Sequence, residues 1–454
     1  MIDTKPRYEF CDLNIVPCVV TDIESRSECS IYVDEEKKTL PLFASPMSSV
    51  VDENNYQYFI NNGITPIIHR NVAFEKRYEL IKKGIWCALS LDEFEDIFCK
   101  YETYKIYDEI SDQPQTIYAL LDIANGHMSK GMEMVHRSKE VADEHNAELK
   151  VMLGNIANPE AYMEYAKAGV DYCRIGIGGG GMCLTTPNTG VHYPMASLVD
   201  EIRQLRDSKK IENLFQEKQI YDKYFTYPKI VADGSIKNFD NINVALACGA
   251  DYVMIGTVFS SCFESAGKMV SMNCNKKNST EDVCSYDSFI VNTNPDYSFR
   301  KNKHLFILNE EAINEWKNDF LPKFPKLSVL EYDLLHDYRQ LYLSDENLKD
   351  EDIKRFLIKY VPLGKESYGM SSRTAQIEHL KMLGKEVTRN KLKTSEGKNA
   401  IVPIKYTLNQ WTDNFKSFLK STMSYTDCVC LEEFCSGDIV LIPKSRGVWE
   451  CVNK

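Results

Sequence analysis

Eight short apolar runs, each closed by a turn signal, constrain this chain most. They are Pro41 to Ser45, Ile64 to His69, Ile85 to Leu91, Ile117 to Ile123, Leu149 to Leu153, Val170 to Ile175, Lys229 to Ala232 and Tyr252 to Ile255. Segments with helical spacing stand between them, over Glu53 to Asn61, Glu75 to Lys82, Lys130 to Asn146, Pro159 to Ala168, Ser197 to Arg206 and Asp240 to Cys248. A strand that is apolar on both faces is buried on both, and such strands alternating with helices form parallel βαβ units. Eight units are the number that closes a (β/α)8 TIM barrel, with a doubly wound open sheet as the architectural alternative.

Beyond the eighth run the alternation breaks. The reading divides the 454 residues into a first part of the barrel (1–268), an inserted helical subdomain or extended loop (269–362), and a completing part (363–454). Within the insertion, helices are expected over Glu310 to Phe320 and Ser328 to Leu341, followed by an acidic stretch, Asp345 to Asp352. The completing part carries two more helical patterns, Arg373 to Leu383 and Leu408 to Ser421, the latter amphipathic and suited to the barrel's side.

The net charge of −12 argues against a nucleic-acid or anionic-membrane partner, since both ask for a basic surface. No run is long enough to span a membrane, and the N-terminus lacks a signal-peptide core, so the expectation is cytoplasmic. On that reading the fifteen cysteines are free thiols. Cys428, Cys430 and Cys435 lack the second pair or histidine of a zinc site.

A barrel places its chemistry at the C-terminal ends of its strands. Those ends carry Ser45-Pro46-Met47, His69-Arg70-Asn71, Asp122-Ile123-Ala124-Asn125-Gly126, Gly154-Asn155, Asp233-Gly234-Ser235 and Gly256-Thr257. After the sixth run comes the longest such end, Gly176 to Pro194, with four consecutive glycines and then Met182-Cys183-Leu184-Thr185-Thr186. Glycines admit a ligand close to the backbone, and a cysteine in that loop is placed as a nucleophile. The competing reading, an inert buried thiol, fits most cysteines but not this setting. Gly176, Gly178 and Gly181 also match a dinucleotide fingerprint, but that motif opens a helix at once, and here Pro187, Gly190 and Pro194 postpone it. Asp233 suits two sugar hydroxyls, and the ends after strands seven and eight suit a phosphate. Tyr368-Gly369-Met370-Ser371-Ser372, before a helix, is a further anion site.

Together, G-G-G-G-M-C-L-T-T-P-N-T-G-V-H-Y-P, V-A-D-G-S, M-I-G-T, Y-G-M-S-S and S-E-G-K resemble the IMP dehydrogenase/GMP reductase family over most of the chain outside 269–362. The short interval between His69 and Ile117 leaves no room for the dehydrogenases' regulatory domain pair. The interval from Ser372 to Lys393 lacks their Arg-Tyr flap. Both features resemble the reductase branch. The resemblance implies reductive deamination of GMP to IMP and ammonia with NADPH, through a covalent thioimidate on Cys183. The alternatives are IMP dehydrogenation with NAD, a modified purine nucleotide as substrate, or a non-catalytic nucleotide binder.

By the same resemblance, Cys183, Thr185 and Glu396 are catalytic. Asp233, Gly234, Ser235, Gly256, Thr257, Gly369, Met370, Ser371, Lys393, Thr394, Ser395 and Gly397 hold the nucleotide. Ser25, Arg26, Arg70, Asp122, Ile123, Ala124, Ile177 and Gly178 face the dinucleotide. Carbonyls of Gly178, Gly180 and Cys183 hold a potassium ion, and the protein is a homotetramer. The chain departs from the family pattern at Leu184 to Thr186, at Gly179 to Gly181, at Ser235 and at Arg70.

Overall fold

The computed structural model describes residues 3–444 except 101–104, 111–115, 209–222 and 273–302. Between 309 and 338 it describes only 312, 315, 316, 318, 323 and 330–332. After a short outer strand, β1 (Leu13–Ile15), the apolar runs appear as β2 (Leu42–Ala44), β3 (Thr65–Ile68), β4 (Trp86–Leu89) and β5 (Ile117–Asp122). They continue as β6 (Leu149–Ile156), β7 (Tyr172–Ile175), β8 (Lys229–Asp233) and β9 (Tyr252–Ile255). These eight strands form one closed parallel barrel, β9 returning to β2 with Phe43 opposite Met254. Closure excludes the open sheet, and the chain has the (β/α)8 fold that the alternation requires.

The six helices expected between strands are present at Tyr56–Asn61, Phe74–Ile81, Ser129–Glu144, Ala161–Lys167, Met195–Asp207 and Phe239–Ala247.

Side chains alternate across each strand with period two. The inward set includes Phe43, Ile67, Trp86, Ala88, Leu120, Met152, Val231 and Met254, with Tyr118, Tyr172 and Tyr252 packed against it. Trp86 meets Tyr118 at 4.9 Å and Tyr172 edge-on at 5.1 Å between ring centroids. The outward set, such as Leu42, Ile68, Cys87, Leu121, Leu153 and Val253, joins the helices in the main core. The same alternation makes Asp122, Arg174 and Asp233 inward positions at the C-terminal mouth, two residues beyond Leu120, Tyr172 and Val231. The barrel therefore has an apolar floor and a charged mouth.

β10 (Met269–Ser271) pairs antiparallel with β14 (Leu363–Tyr368), so the chain leaves the barrel's end and returns beside itself. β14 also pairs antiparallel with β15 (Asn399–Pro403). Between β10 and β14, the described residues include a three-stranded antiparallel sheet of β11 (Lys303–Leu308), β12 (Leu330–Tyr332) and β13 (Arg339–Ser344), in the order β11-β13-β12. This corrects the helix expected over Ser328 to Leu341. A short apolar run fits either period, and here pairing with β11 decides it. The helix expected over Glu310 to Phe320 falls mostly outside the described residues. The acidic stretch starts the helix Glu351–Tyr360, because Asp350 accepts the Asp352 and Ile353 amides at 2.9 and 3.2 Å.

The tail helix, Leu408–Tyr425, seats Leu408, Trp411, Phe415, Leu419 and Met423 along one buried stripe. Trp411 packs edge-on against Phe259 at 4.8 Å. Each such side chain contributes roughly 1.5–3 kcal/mol by leaving water. Beyond it, β16 (Leu441–Pro443) pairs with β1 and ties the two ends of the described chain together.

His69 lies just past β3, buried, its Nδ1 accepting the Asn71 amide at 3.1 Å. Burial pushes it down to about 4, with Arg77 adding and Asp52 opposing. Below the ordinary value of 6.5, the unfolded chain takes a proton that the folded chain refuses until about pH 4. Folding stability should therefore fall between pH 6.5 and 4, by on the order of 3 kcal/mol from this group. Urea midpoints measured across that window should flatten in His69→Gln relative to the parent.

Candidate active site

The catalytic candidates come from two loops far apart in sequence. One is the glycine loop after β7. The other, Lys393 to Lys398, lies between the helix Arg373–Met382 and β15. They are stitched by the backbone: Leu184 N–H donates to Glu396 O at 2.7 Å, and Lys398 N–H to Met182 O at 2.8 Å. Cys183 and Gly397 form an isolated antiparallel bridge. A Cβ on Gly397 would stand 2.7 Å from the Ser372 amide nitrogen, so the crossing leaves no space for a side chain.

This stitching aligns three side chains. The Cys183 thiol donates to Thr185 Oγ1 at 3.2 Å, and the Thr185 hydroxyl donates to Glu396 Oε2 at 3.0 Å. The Thr185 amide also points at Cys183 Sγ, 3.5 Å away. Thiol, hydroxyl and carboxylate thus form a continuous proton path of the kind a nucleophile and its general acid–base partner need. Burial pushes the thiols of Cys87, Cys173, Cys248 and Cys262 up, and that of Cys99 to about 12. All described cysteines are free, and no described group of three His, Cys, Asp or Glu could hold a metal, Cys428 to Cys435 included.

The other predicted ends converge on the same loop. Ser235 N–H donates to Gly179 O at 2.8 Å. A Cβ on Gly181 would lie 3.2 Å from Thr257 Oγ1, and one on Gly369 3.1 Å from Met182 O. Ser371 O accepts the Glu396 amide at 3.3 Å, and Met370 Sδ receives Ser48 Oγ at 3.4 Å. Ser372 caps the helix Arg373–Met382 by accepting the Ala375 amide at 3.2 Å. Gly178 has φ +78° and its Cβ would sit 1.7 Å from Thr186 Oγ1, so only glycine fits. Ser235 has φ +56°, a left-handed conformation that costs a non-glycine residue roughly 1–2 kcal/mol. Its amide bond to Gly179 offsets part of that.

The charged mouth lies beneath. Arg174 Nε binds Asp233 Oδ2 at 2.8 Å and its Nη1 binds Asp122 Oδ1 at 2.9 Å. Asn155 Nδ2 donates to the same Asp233 oxygen at 2.8 Å and to Gly176 O at 2.8 Å. Burial works against the guanidinium charge, but the Asp233 and Asp122 carboxylates outweigh it and hold the proton more firmly. Sequence reasoning missed Arg174, and named Asn155 at a strand end without giving it a role. The available signal was one arginine inside an otherwise apolar strand, two residues before the glycine loop.

Arg70 Nε stands 3.1 Å from Asp122 Oδ2, yet it is buried without an aligned hydrogen bond. Ile123 and Ala124 follow Asp122, the Ile123 amide donating to Gly154 O at 3.3 Å. Lys393 and Thr394 are exposed, Lys393 N–H bonding Gln376 Oε1 at 2.8 Å. Ser25 and Arg26 lie elsewhere, at the 3-10 turn Arg26–Glu28 packed on the tail helix. Among the described residues no hydrogen bond or ion pair joins them to Arg70, Asp122 or the glycine loop.

Comparison with known proteins agrees with this geometry. Residues 115–314 match the IMP dehydrogenase / GMP reductase domain. The GMP reductase of Chromobacterium violaceum is 31% identical over 278 residues, covering 60% of this chain and 77% of that protein. This chain belongs to the IMP dehydrogenase/GMP reductase family. The GMP reductases of Clostridium acetobutylicum and Bacillus cereus are 29% and 28% identical, over 58% of this chain and 73% of each relative. Among the described residues no helix is long and apolar enough to cross a membrane.

Removing one partner of a buried charge cluster leaves the others uncompensated. Arg174→Met should lower stability by about 3–5 kcal/mol, read as a shift in the urea midpoint. Arg174→Lys should recover only part of it, since an ammonium cannot fork between two carboxylates.

Proposed function

We propose that this protein is a GMP reductase-like enzyme that converts GMP to IMP and ammonia. The observation that carries the reading is the Cys183–Thr185–Glu396 path, two hydrogen bonds long and built across two loops. Binding alone needs no such path. Cys183 Sγ attacks C2 of the guanine ring once its proton has passed through Thr185 towards Glu396. The bond from C2 to the exocyclic amine then breaks, and Glu396 returns a proton through Thr185 so that ammonia leaves. The result is a thioimidate between Cys183 and C2. NADPH, when bound, supplies the hydride that C2 accepts, and the C–S bond breaks to release IMP and the Cys183 thiolate, which takes a proton from solvent.

The remaining residues hold the reactants. Asp233 takes the ribose hydroxyls, its carboxylate being fixed by Arg174 and Asn155. Gly234, Ser235, Gly256, Thr257, Gly369, Met370 and Ser371 hold the nucleotide, together with Lys393 to Gly397. Asp122, Ile123, Ala124, Ile177 and Gly178 line the nicotinamide side. The Arg70 guanidinium, whose Nε pairs with Asp122 Oδ2 at 3.1 Å, suits an anionic cofactor group such as a 2′-phosphate. The carbonyl set of Gly178, Gly180 and Cys183 suits a hard monovalent cation, and Gly180 O still has a lone pair free beside its bond from the Cys183 amide at 3.0 Å. Residues 269–362 are an addition to the barrel, and a cytoplasmic homotetramer is the assembly the family implies. Ser25 and Arg26 remain candidates for the dinucleotide only through that assembly.

Absorbance of NADPH with GMP and potassium present tests the reading. It should fall with stoichiometric ammonia release, and Cys183→Ala should abolish the reaction. Glu396→Gln should cost about 10²–10⁴-fold in kcat, the usual worth of a general acid. Formation of NADH from IMP and NAD, with no GMP reduction, would reverse the assignment.

A further inference from the structure

One contact at the base of the glycine loop has no part in the steps above. The ring of His192 joins the two ends of that loop: its Nδ1 lies 2.9 Å from Ile177 O, at the loop's start, while His192 itself stands near the loop's end. The ring's other nitrogen, Nε2, lies 2.6 Å from Glu9 Oε1. Glu9 Oε2 accepts the Met195 amide, the first of the following helix, at 3.2 Å. Both partners of the ring are acceptors, a carbonyl and a carboxylate.

Glu9 is a firm post. Phe10, next to it, is fully buried in the main core. Tyr8 bonds Ser197 twice, its amide to Oγ at 2.8 Å and its carbonyl from the Ser197 amide at 3.2 Å. Arg7 donates to the Tyr193 hydroxyl at 2.7 Å. The N-terminal segment is therefore strapped across the start of the helix Met195–Asp207, and His192 is fastened to that strap.

The loop needs such a fastening. Gly178 to Gly181 have no side chains to pack and more backbone freedom than any other residues. Their position has to come from the bonds at either end. On the Cys183 side these are the contacts with Glu396 and Ser235. On the Ile177 side the side-chain contacts are Asn155 Nδ2 on the Gly176 carbonyl at 2.8 Å and His192 Nδ1 on the Ile177 carbonyl, and of the two only His192 comes from the loop's far end.

We propose that His192, held by Glu9, is a positioning residue for Cys183, fixing the Ile177 carbonyl so that the glycine segment delivers the thiol to its place beside Thr185. The proposal rests on Cys183 being the nucleophile, and its test reads Cys183 directly as well as turnover. Native protein is treated with iodoacetamide, and alkylation of the Cys183 peptide is followed by mass spectrometry in the parent, His192→Ala, His192→Asn and Glu9→Ala. GMP reduction and thermal midpoints are measured in parallel.

His192→Ala and Glu9→Ala should each change the Cys183 alkylation rate and lower kcat by about 10- to 100-fold, the cost of a misplacement near 1 Å. KM for GMP should stay within about threefold, since the phosphate and ribose contacts are untouched. His192→Asn, whose amide nitrogen approximates Nδ1, should recover most of the loss through Ile177. An unchanged Cys183 alkylation rate in His192→Ala overturns the proposal whatever the kcat. So does a loss that follows the thermal midpoint and that asparagine leaves unrepaired. If the parent turns over no GMP, the reaction assignment fails, while the alkylation rates still decide the clamp.

Discussion

One guanidinium in the mouth of the barrel holds apart two carboxylates that would otherwise repel each other in a poorly solvated space. Arg174 reaches Asp233 with Nε and Asp122 with Nη1, and the three side chains are each mostly shielded from solvent. The geometry follows from strand alternation, since the inward rows that hold Leu120, Tyr172 and Val231 on the floor hold these three at the rim. Replacing the guanidinium would leave buried charge uncompensated, which is far costlier than losing a surface pair. The rim is also the base of the site. Asp233 leads into Gly234 and Ser235, whose amide supports Gly179, and Asp122 faces Arg70.

Above that rim, the proposed chemistry depends on two loops supporting each other. Neither the glycine loop nor the Lys393 to Lys398 segment has a core of its own. Their cross-bonds at Leu184–Glu396 and Met182–Lys398 supply the order that side-chain packing cannot. Four glycines and Gly397 permit the close crossing, and the crossing places a carboxylate two hydrogen bonds from a thiol. A proton relay between loops held this way is preorganised only as well as the loops are, so bracing at their bases bears on the rate as well as on stability.

The sequence made the barrel legible because burial on both faces and helical spacing are strong, repeated signals. Each of the eight runs became a strand, and each intervening helix formed within a few residues of its expected bounds. The insertion was less legible. Leu330 to Leu343 has apolar residues that fit a helix or a pair of short strands, and only pairing with β11 resolves the choice. In the site, Cys183 was readable from its glycines, whereas the role of Thr185 came from the family resemblance. Glu396 was not readable from spacing, because a surface acid among small polar residues looks the same, and only the family resemblance singled it out. Arg174 was hidden in a short run that also holds Asp171, where neither charge by itself signals a site. Ser25 and Arg26 were named by resemblance, and within this chain they sit beside the tail helix instead of the mouth.

The central claim is that Cys183 forms a bond to the purine. The most direct measurement is the mass of the Cys183 peptide after acid quenching of protein mixed with GMP in the absence of NADPH. The account predicts an adduct equal to GMP less ammonia, confined to Cys183 and dependent on Glu396. Bound GMP with an unmodified Cys183 peptide, or an adduct on a different cysteine, would contradict it.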